Sequence, residues 1–542
     1  MRPIATDTHD FPSLRRDGKI YVDKTMFMHR LVANADAKLF FVSRPRRFGK
    51  SLTISALKAL FQGRRELFEG LAIEKTDWKW GKYPIIHFEF NDLDTMGLEE
   101  FAASLAYHVR SRLEEAGYAY DQSVPMPDNF GRAIKSLSAA NGGKGVVILI
   151  DEYDAPVGHC LDDVAKAEAV RDRLSAVYSQ MKNRTGDIRF LLMTGVSKFT
   201  KLSVFSALNN IVDVSQDDDY ATMFGYTEEE LSANFEEHLR AHAEKMGKSY
   251  DDYRAEMKRW YNGFRFAKNV PTTVYNPISV AYTLYRKEPG FSATWATTGR
   301  PSMLMSYLKR EDMLRIDPEG IRGVSEAEFD VAELRYLRPV AMLYQSGYLT
   351  IRDYNPLSKS YTLGVPDEEV REDLCTLMTG VAANTDMQWA ASLGQKLLNA
   401  MWDEFFEGLQ SLYAAMAYGS TEWRVHENSY GRCLSFLLAS QGFRFTMEAV
   451  GADGRADIVA EHPVMVCIFE LKVGKSVDKA FVQIREKNYA APYLASGLPI
   501  WLIGLSFDPK TRQLVDFAAE RYEETSDNTS LQLQLKTPTQ KV

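Results

Sequence analysis

Two groups of residues in this sequence of 542 amino acids have the types and spacing needed for phosphate chemistry. The first begins in "FFVSRPRRFGKSLTIS" (Phe40 to Ser55) and continues in "VVILIDEYD", which ends a later apolar run. A nucleoside triphosphate calls for converging backbone amides, a lysine, a hydroxyl for Mg²⁺, and carboxylates for metal and water. Gly49 lets the backbone approach phosphate, Lys50 is expected to reach the β/γ oxygens, and Ser51 is expected to hold Mg²⁺. The amides from Phe48 to Leu52 are the expected donors. Asp151 is expected in the metal's outer shell, with Glu152 beside the attacking water. The second group is Asp457, Glu470 and Lys472, spaced D-x₁₂-E-x-K. Positions i and i+2 of a strand share a face, so Glu470 and Lys472 project together, and a short turn would bring Asp457 alongside. Two carboxylates can hold a hard cation, which activates water while the lysine neutralises charge on a phosphodiester.

The elements around these residues are readable. "AKLFFVS", "YPIIHFEF", "GVVILIDEYD" and "DIRFLLMTG" have strand character, and helical patterns such as "GLEEFAASLAYHVRSRLEEAG" separate them. That alternation predicts a parallel sheet covered on both faces. One strand lies between the loop strand and the acidic one, and the fourth ends in Thr194. This order suits the additional-strand class of P-loop ATPases, where a polar residue after the fourth strand senses the γ-phosphate, so Thr194 takes that role. Thr227 to Glu230 reads as a capping box opening another helix. The aromatic-rich middle is expected to be a helical lid or adaptor with a small β element. Further on, a helix leads into "FRFTMEAV", "RADIVAEH" and "VMVCIFELKV", a β-meander separated by turns. A helix ("SVDKAFVQIREKNYAAPYL") and a strand ("PIWLIGLSF") close that module. Glu427 on the helix preceding the meander, and Gln483 with Lys487 on the one following it, are additional candidates for the second site.

Composition narrows the function. With 45% hydrophobic and 25% charged residues the chain reads as globular, and its length favours two or three domains. No apolar run approaches the roughly 20 residues of a membrane span, and the start lacks a signal-peptide core, so a cytoplasmic location is expected. Cys160, Cys375, Cys433 and Cys467 form no CxxC pair, which fits a reducing compartment and argues against structural zinc. The net charge of −8 restricts any nucleic-acid contact to a local patch. Between Phe40 and Leu60 there are five basic residues and no acid. Arg46 and Arg47 could face a triphosphate, a neighbouring subunit or the adjoining domain.

Each motif also has a plain structural reading. Gly-Lys-Ser arises by chance, Asp-Glu after an apolar strand is often its solvated end, and Glu470 with Lys472 could be an edge-strand charge pair. Against the last stands "CIFELKV", apolar around both charges, where ionised groups need a partner or a metal.

"YVDKT", "SRPRRFGKSL", "IDEYDAP", "TGVSKFTKLSVFSALNN", "WYNGFRF", "YNP" and "LYQSGYL" resemble the signature set of the AAA-ATPase-like proteins of bacteria and some archaea. The similarity runs from about Phe11 to about Phe517, and Arg44 at the first-glycine position is the usual form in that family. The resemblance implies a P-loop ATPase joined to a C-terminal nuclease-like domain of the PD-(D/E)XK superfamily, whose core the D-x₁₂-E-x-K spacing matches. The expected organisation is an ATPase-like domain over 1–248, a lid or adaptor over 249–385, and a helical connector over 386–418. A nuclease-like α/β domain over 419–520 and a polar tail over 521–542 complete it. The implied partners are ATP, Mg²⁺ (Mn²⁺ as an alternative in the second site) and nucleic acid, with DNA ahead of RNA. A homo-oligomer stays open, because such ATPases often complete their site across a subunit boundary. Arg265 and Arg300 are candidates for the third charge that hydrolysis needs. The alternative reading is a nucleotide-dependent switch whose nuclease-like domain binds nucleic acid or a partner without cutting.

Overall fold

The apolar runs of the first half lie side by side in the computed structural model, which describes residues 1–6, 9–161, 163–198, 210–293, 320–330, 338–382, 387–419, 427–450 and 455–522. The chain divides into two units, Met1–Glu311 with Ile316–Val370, and Asp312–Arg315 with Arg371–Val542.

In the first unit, β1 (Leu39–Ser43), β2 (Ile85–Glu89), β3 (Val146–Asp151), β4 (Ile188–Gly195) and β5 (Val212–Asp213) form a parallel sheet in the order β2-β3-β4-β1-β5. β4 is the strand inserted between the loop strand and the acidic strand, as the additional-strand reading requires. All six residues of β3 are buried, so both faces of the sheet are covered there. Over the neighbouring β2 the cover is the helix Leu98–Glu115, which buries Phe101, Leu105, Val109 and Leu113. These residues recur every four positions and form one apolar stripe. Because the strands are parallel, the ends of β1, β3 and β4 emerge along one edge, where open α/β sheets bind ligands.

The middle of the chain belongs to this unit. Thr227 forms the expected capping box with Glu230, opening the helix Glu228–Lys245. This helix packs with Tyr250–Tyr261 and Pro277–Tyr285 around Leu231, Phe235, Leu239, Met257 and Val280, and Ile20 and Val22 join that core. A short pair, β6 (Asn262–Phe264) with β7 (Val274–Tyr275), follows. β8 (Ile321–Val324), β9 (Thr350–Asn355) and β10 (Ser360–Gly364) form an antiparallel sheet, the small β element expected there.

The second unit contains a five-stranded sheet in chain order: β11 (Arg444–Val450), β12 (Arg455–His462), β13 (Met465–Val473), β14 (Ile500–Phe507) and β15 (Leu514–Arg521). All neighbours are antiparallel except β13 with β14. That parallel step needs a crossover, supplied by the helix Val477–Glu486. This helix packs Val477, Phe481 and Ile484 on the face carrying Val466 and Ile468. The helix Glu427–Ala439 covers the other face, where Gly431 lies against Met447 and Ile458. Among the described residues no helix is long and apolar enough to cross a membrane, and all four cysteines are buried thiols.

Candidate active sites

The loop after β1 turns through two left-handed residues, Arg47 (φ 70°) and Gly49 (φ 91°), and opens the helix Lys50–Phe61. A Cβ on Gly49 would meet nothing within 4 Å, which leaves a cradle beside the first amides of the helix. Arg46, Arg47, Gly49, Lys50, Ser51 and Glu152 line one cavity of about 320 Å³. Its lining also includes the apolar side chains of Ile20, Val22, Tyr226, Phe235 and Ile278. Volume and mixed lining are those of a small-ligand site. Phe48 also borders the cavity, but its ring is buried against Phe264 and Phe266, so only its amide is available to phosphate. Leu52 borders it too.

Lys50 is buried, and its Nζ donates to the carbonyls of Arg44 (2.9 Å) and Pro45 (2.8 Å). Burial pulls its pKa down to about 8, against the opposing pull of Asp151, Glu152 and Asp154. Burial raises the Glu152 carboxyl above its ordinary range, and Lys50 offsets part of that shift. Glu152 itself sits at φ 50°, a strained position for a side-chain-bearing residue at the end of β3. Asp151 is fully enclosed: its Oδ1 accepts from the Glu152 amide (3.0 Å) and from Thr194 Oγ1. Asp151 and Thr194 therefore touch each other and are not among the residues lining the cavity.

Arg44 has a different task. It is buried and donates to the carbonyls of Ser43, Ser215 and Tyr220, with its guanidinium 4.2 Å from the Phe266 ring centroid. Desolvation lowers its pKa to about 10. It fastens the segment after β5 to the loop that follows β1.

In the second unit β13 is the central strand, so Glu470 and Lys472 are not an edge charge pair. Glu470 has no exposed surface; its Oε1 accepts from Lys472 Nζ (2.5 Å), and its Oε2 is buried without a partner. Burial raises its pKa to about 7, the Lys472 bond opposes this, and the Asp457 charge adds to it. Asp457, on β12, accepts the Leu471 amide through Oδ2 (2.7 Å). The Ile458–Phe469 pairing puts Asp457 across from Glu470 on the same face. An orphaned carboxylate oxygen next to a second carboxylate fits a divalent cation. Gln483 donates to Tyr489 Oη (3.2 Å) at the far end of its helix, and Lys487 is exposed. Glu427 opens the helix on the opposite face of the sheet, and its side chain lies outside the described residues.

Residues 3–205 match the family model of a predicted AAA-ATPase, and 425–517 match that of the PD-(D/E)XK nuclease superfamily. Over 531 residues the chain is 31% identical to an "uncharacterized protein in vnfD 5'region" of Azotobacter chroococcum mcd 1, covering 96% of this chain and 98% of that one. The chain belongs to the AAA-ATPase-like family. Its C-terminal part is a PD-(D/E)XK superfamily domain. No solved structure matches this AAA-ATPase-like chain.

Of the two arginines expected to supply a further charge, Arg265 is turned elsewhere. It donates to the carbonyls of Ala267, Lys268, Val270 and Arg352, which consolidates the turn after β6. Arg300 lies outside the described residues. Sequence reasoning missed Asp154 and Lys198. Asp154 accepts from the amides of Val196 and Ser197 and so holds the segment after Thr194. Gly195 has to be glycine there, since a Cβ would come 2.5 Å from Asp154 and from Tyr153. Lys198 is buried between Asp213 (3.1 Å) and Asp330 (2.7 Å), and its amide donates to Gln345. A third acid closing "IDEYD" and a lysine after "TGVS" were the available signals.

Proposed function

We propose that the first unit binds ATP with Mg²⁺ and hydrolyses it, and that the second is a Mg²⁺-dependent nuclease on nucleic acid. DNA is the preferred substrate over RNA, and Mn²⁺ can replace Mg²⁺ in the second site. The family and superfamily of the two parts support a nucleotide-dependent, nuclease-like activity. The observation that carries the cutting half is Glu470: a buried carboxylate with one oxygen on Lys472 and the other unpartnered.

In the first site Lys50 exchanges its two carbonyl contacts for β/γ-phosphate oxygens, while the amides of Gly49 to Leu52 meet the remaining charge. Ser51 would hold Mg²⁺ with the enclosed Asp151 in its outer shell, and Thr194 would report the γ-phosphate through Asp151. Glu152, kept basic by burial, takes a proton from water. The adenine base is assigned to the apolar wall formed by Ile20, Val22, Tyr226 and Phe235.

In the second site Asp457 and Glu470 would hold the cation, which supplies charge neutralisation and water activation when bound. Asp457 is kept in orientation by the Leu471 amide. Lys472 neutralises charge gathering on the phosphate and already shares Glu470. Glu427 and Gln483 are left out of this site, since Glu427 opens the helix on the opposite face of the sheet and Gln483 bonds Tyr489.

The test incubates the purified chain with DNA and RNA panels, with and without ATP and with Mg²⁺ or Mn²⁺. Metal-dependent cutting that disappears in Asp457→Ala and Lys472→Ala is expected, and Glu152→Gln should bind ATP without turning it over. Binding of nucleic acid without cutting in either metal would replace the nuclease with a switch.

A further inference from the structure

ATP hydrolysis moves negative charge toward the leaving oxygen, and ATPases meet it with a cation beyond the loop lysine, often from a second subunit. The cations around this cavity can be sorted by what already engages them. Lys24 donates to both oxygens of Glu230 and to the Thr222 carbonyl. Lys50 is the phosphate lysine, and Arg44 is buried against carbonyls on the other side of the loop. Arg265 is spent on the turn after β6. Arg46 is half-buried, lines the cavity together with Lys50, Ser51 and Glu152, and makes no hydrogen bond or ion pair among the described residues. Arg47 lines the cavity too, but its left-handed backbone makes the turn of the loop.

We propose that Arg46 is the catalytic arginine of the ATPase site, supplied by the same chain, so that one copy carries the complete hydrolytic machinery. The inference rests on the ATPase reading above. In the step, a water oxygen bonds to the γ-phosphorus while the bond from that phosphorus to the β–γ bridging oxygen breaks. The bridging oxygen leaves with the electron pair and becomes a terminal oxygen of ADP. Glu152 accepts the proton from water and passes it to solvent or to the phosphate product. Arg46 lies on the wall where the γ-phosphoryl and bridging oxygens gain charge. Lys50 and the loop amides bind substrate and transition state alike, whereas Arg46 acts on the charge that develops between them. Two consecutive arginines before the loop phenylalanine thereby receive distinct duties: Arg47 makes the left-handed turn and Arg46 reaches the reacting end.

The experiment compares ATP affinity and kcat for wild type, Arg46→Ala, Arg46→Lys and Lys50→Ala, and adds a mixture of Arg46→Ala with Glu152→Gln chains. Arg46→Ala should lose about 10³-fold in kcat while its Kd for ATP stays within about threefold. Arg46→Lys should recover part of the loss. The mixture should stay inactive, because neither chain holds both groups. Turnover restored by mixing would show an arginine acting between chains and overturn the proposal. An unchanged kcat in Arg46→Ala would overturn it as well, leaving the ATPase reading intact so long as Lys50→Ala still abolishes binding. If Lys50→Ala bound ATP normally, the ATPase reading would fall and Arg46 with it.

Discussion

At Arg44 a guanidinium occupies the place where a phosphate loop ordinarily begins with glycine, and it is only 2% exposed. Its partners Ser215 and Tyr220 lie 171 and 176 residues away in sequence, so its destination was beyond sequence reading even though its family pattern was not. Hydrogen bonds from a charged donor contribute about 1.5–3 kcal/mol each, and truncation leaves buried carbonyls without a donor. Arg44→Gly, which would restore the common form of the loop, should therefore destabilise the first unit by about 3 kcal/mol or more. Urea denaturation of the purified variant would measure it. The placement of Gly49, Lys50 and Ser51 between a strand end and a helix start was legible because it is set locally. Glu470 was half legible: its apolar neighbours announced burial, whereas its unpartnered oxygen appears only once β12 and β14 are in place.

At the scale of elements, legibility followed burial. β3 announced itself through six apolar or acidic residues that are all enclosed, and the helix Leu98–Glu115 through its four-residue repeat. β15 escaped notice because it borders the sheet and is only partly buried, so "LVDFAAER" carries no clear alternation. β5 escaped because only Val212 and Asp213 pair. The packing of β2 under the helix Leu98–Glu115 has a further consequence at His87 and His108. Burial, helped by Lys58 near the first and Arg112 near the second, lowers both pKa values to about 4. Folded, they stay neutral below pH 6.5, whereas the unfolded chain takes up protons there. Stability of this unit should thus fall as pH drops from about 6.5 toward about 4. His87→Leu should flatten that slope by about one proton, read from unfolding free energies at several pH values.

For the whole molecule, each unit has its own sheet and its own candidate site, so ligands should act locally. ATP at about 100 times its Kd should stabilise the first unit by ~2.7 kcal/mol, and a divalent ion at the same ratio should do as much for the second. Hydrogen exchange would assign the effects: ATP protecting Phe48 to Leu52 and Mg²⁺ or Mn²⁺ protecting β12 and β13. Lys50→Ala should erase only the first, and Asp457→Asn only the second. The two-part plan was legible from motif order, since each motif set falls on a separate run of elements. What joins the middle of the chain to the ATPase core was not, because it consists of contacts between distant residues: Phe48 on Phe264 and Phe266, and Lys198 on Asp330 and Gln345. Anyone cutting the gene after codon 248 to obtain a minimal ATPase would discard those partners. The fragment would present a bare Phe48 ring and leave Lys198 with Asp213 alone. Shortening the chain only to residue 370 retains every one of these groups, and that longer piece is the sensible unit to express, crystallise or transplant.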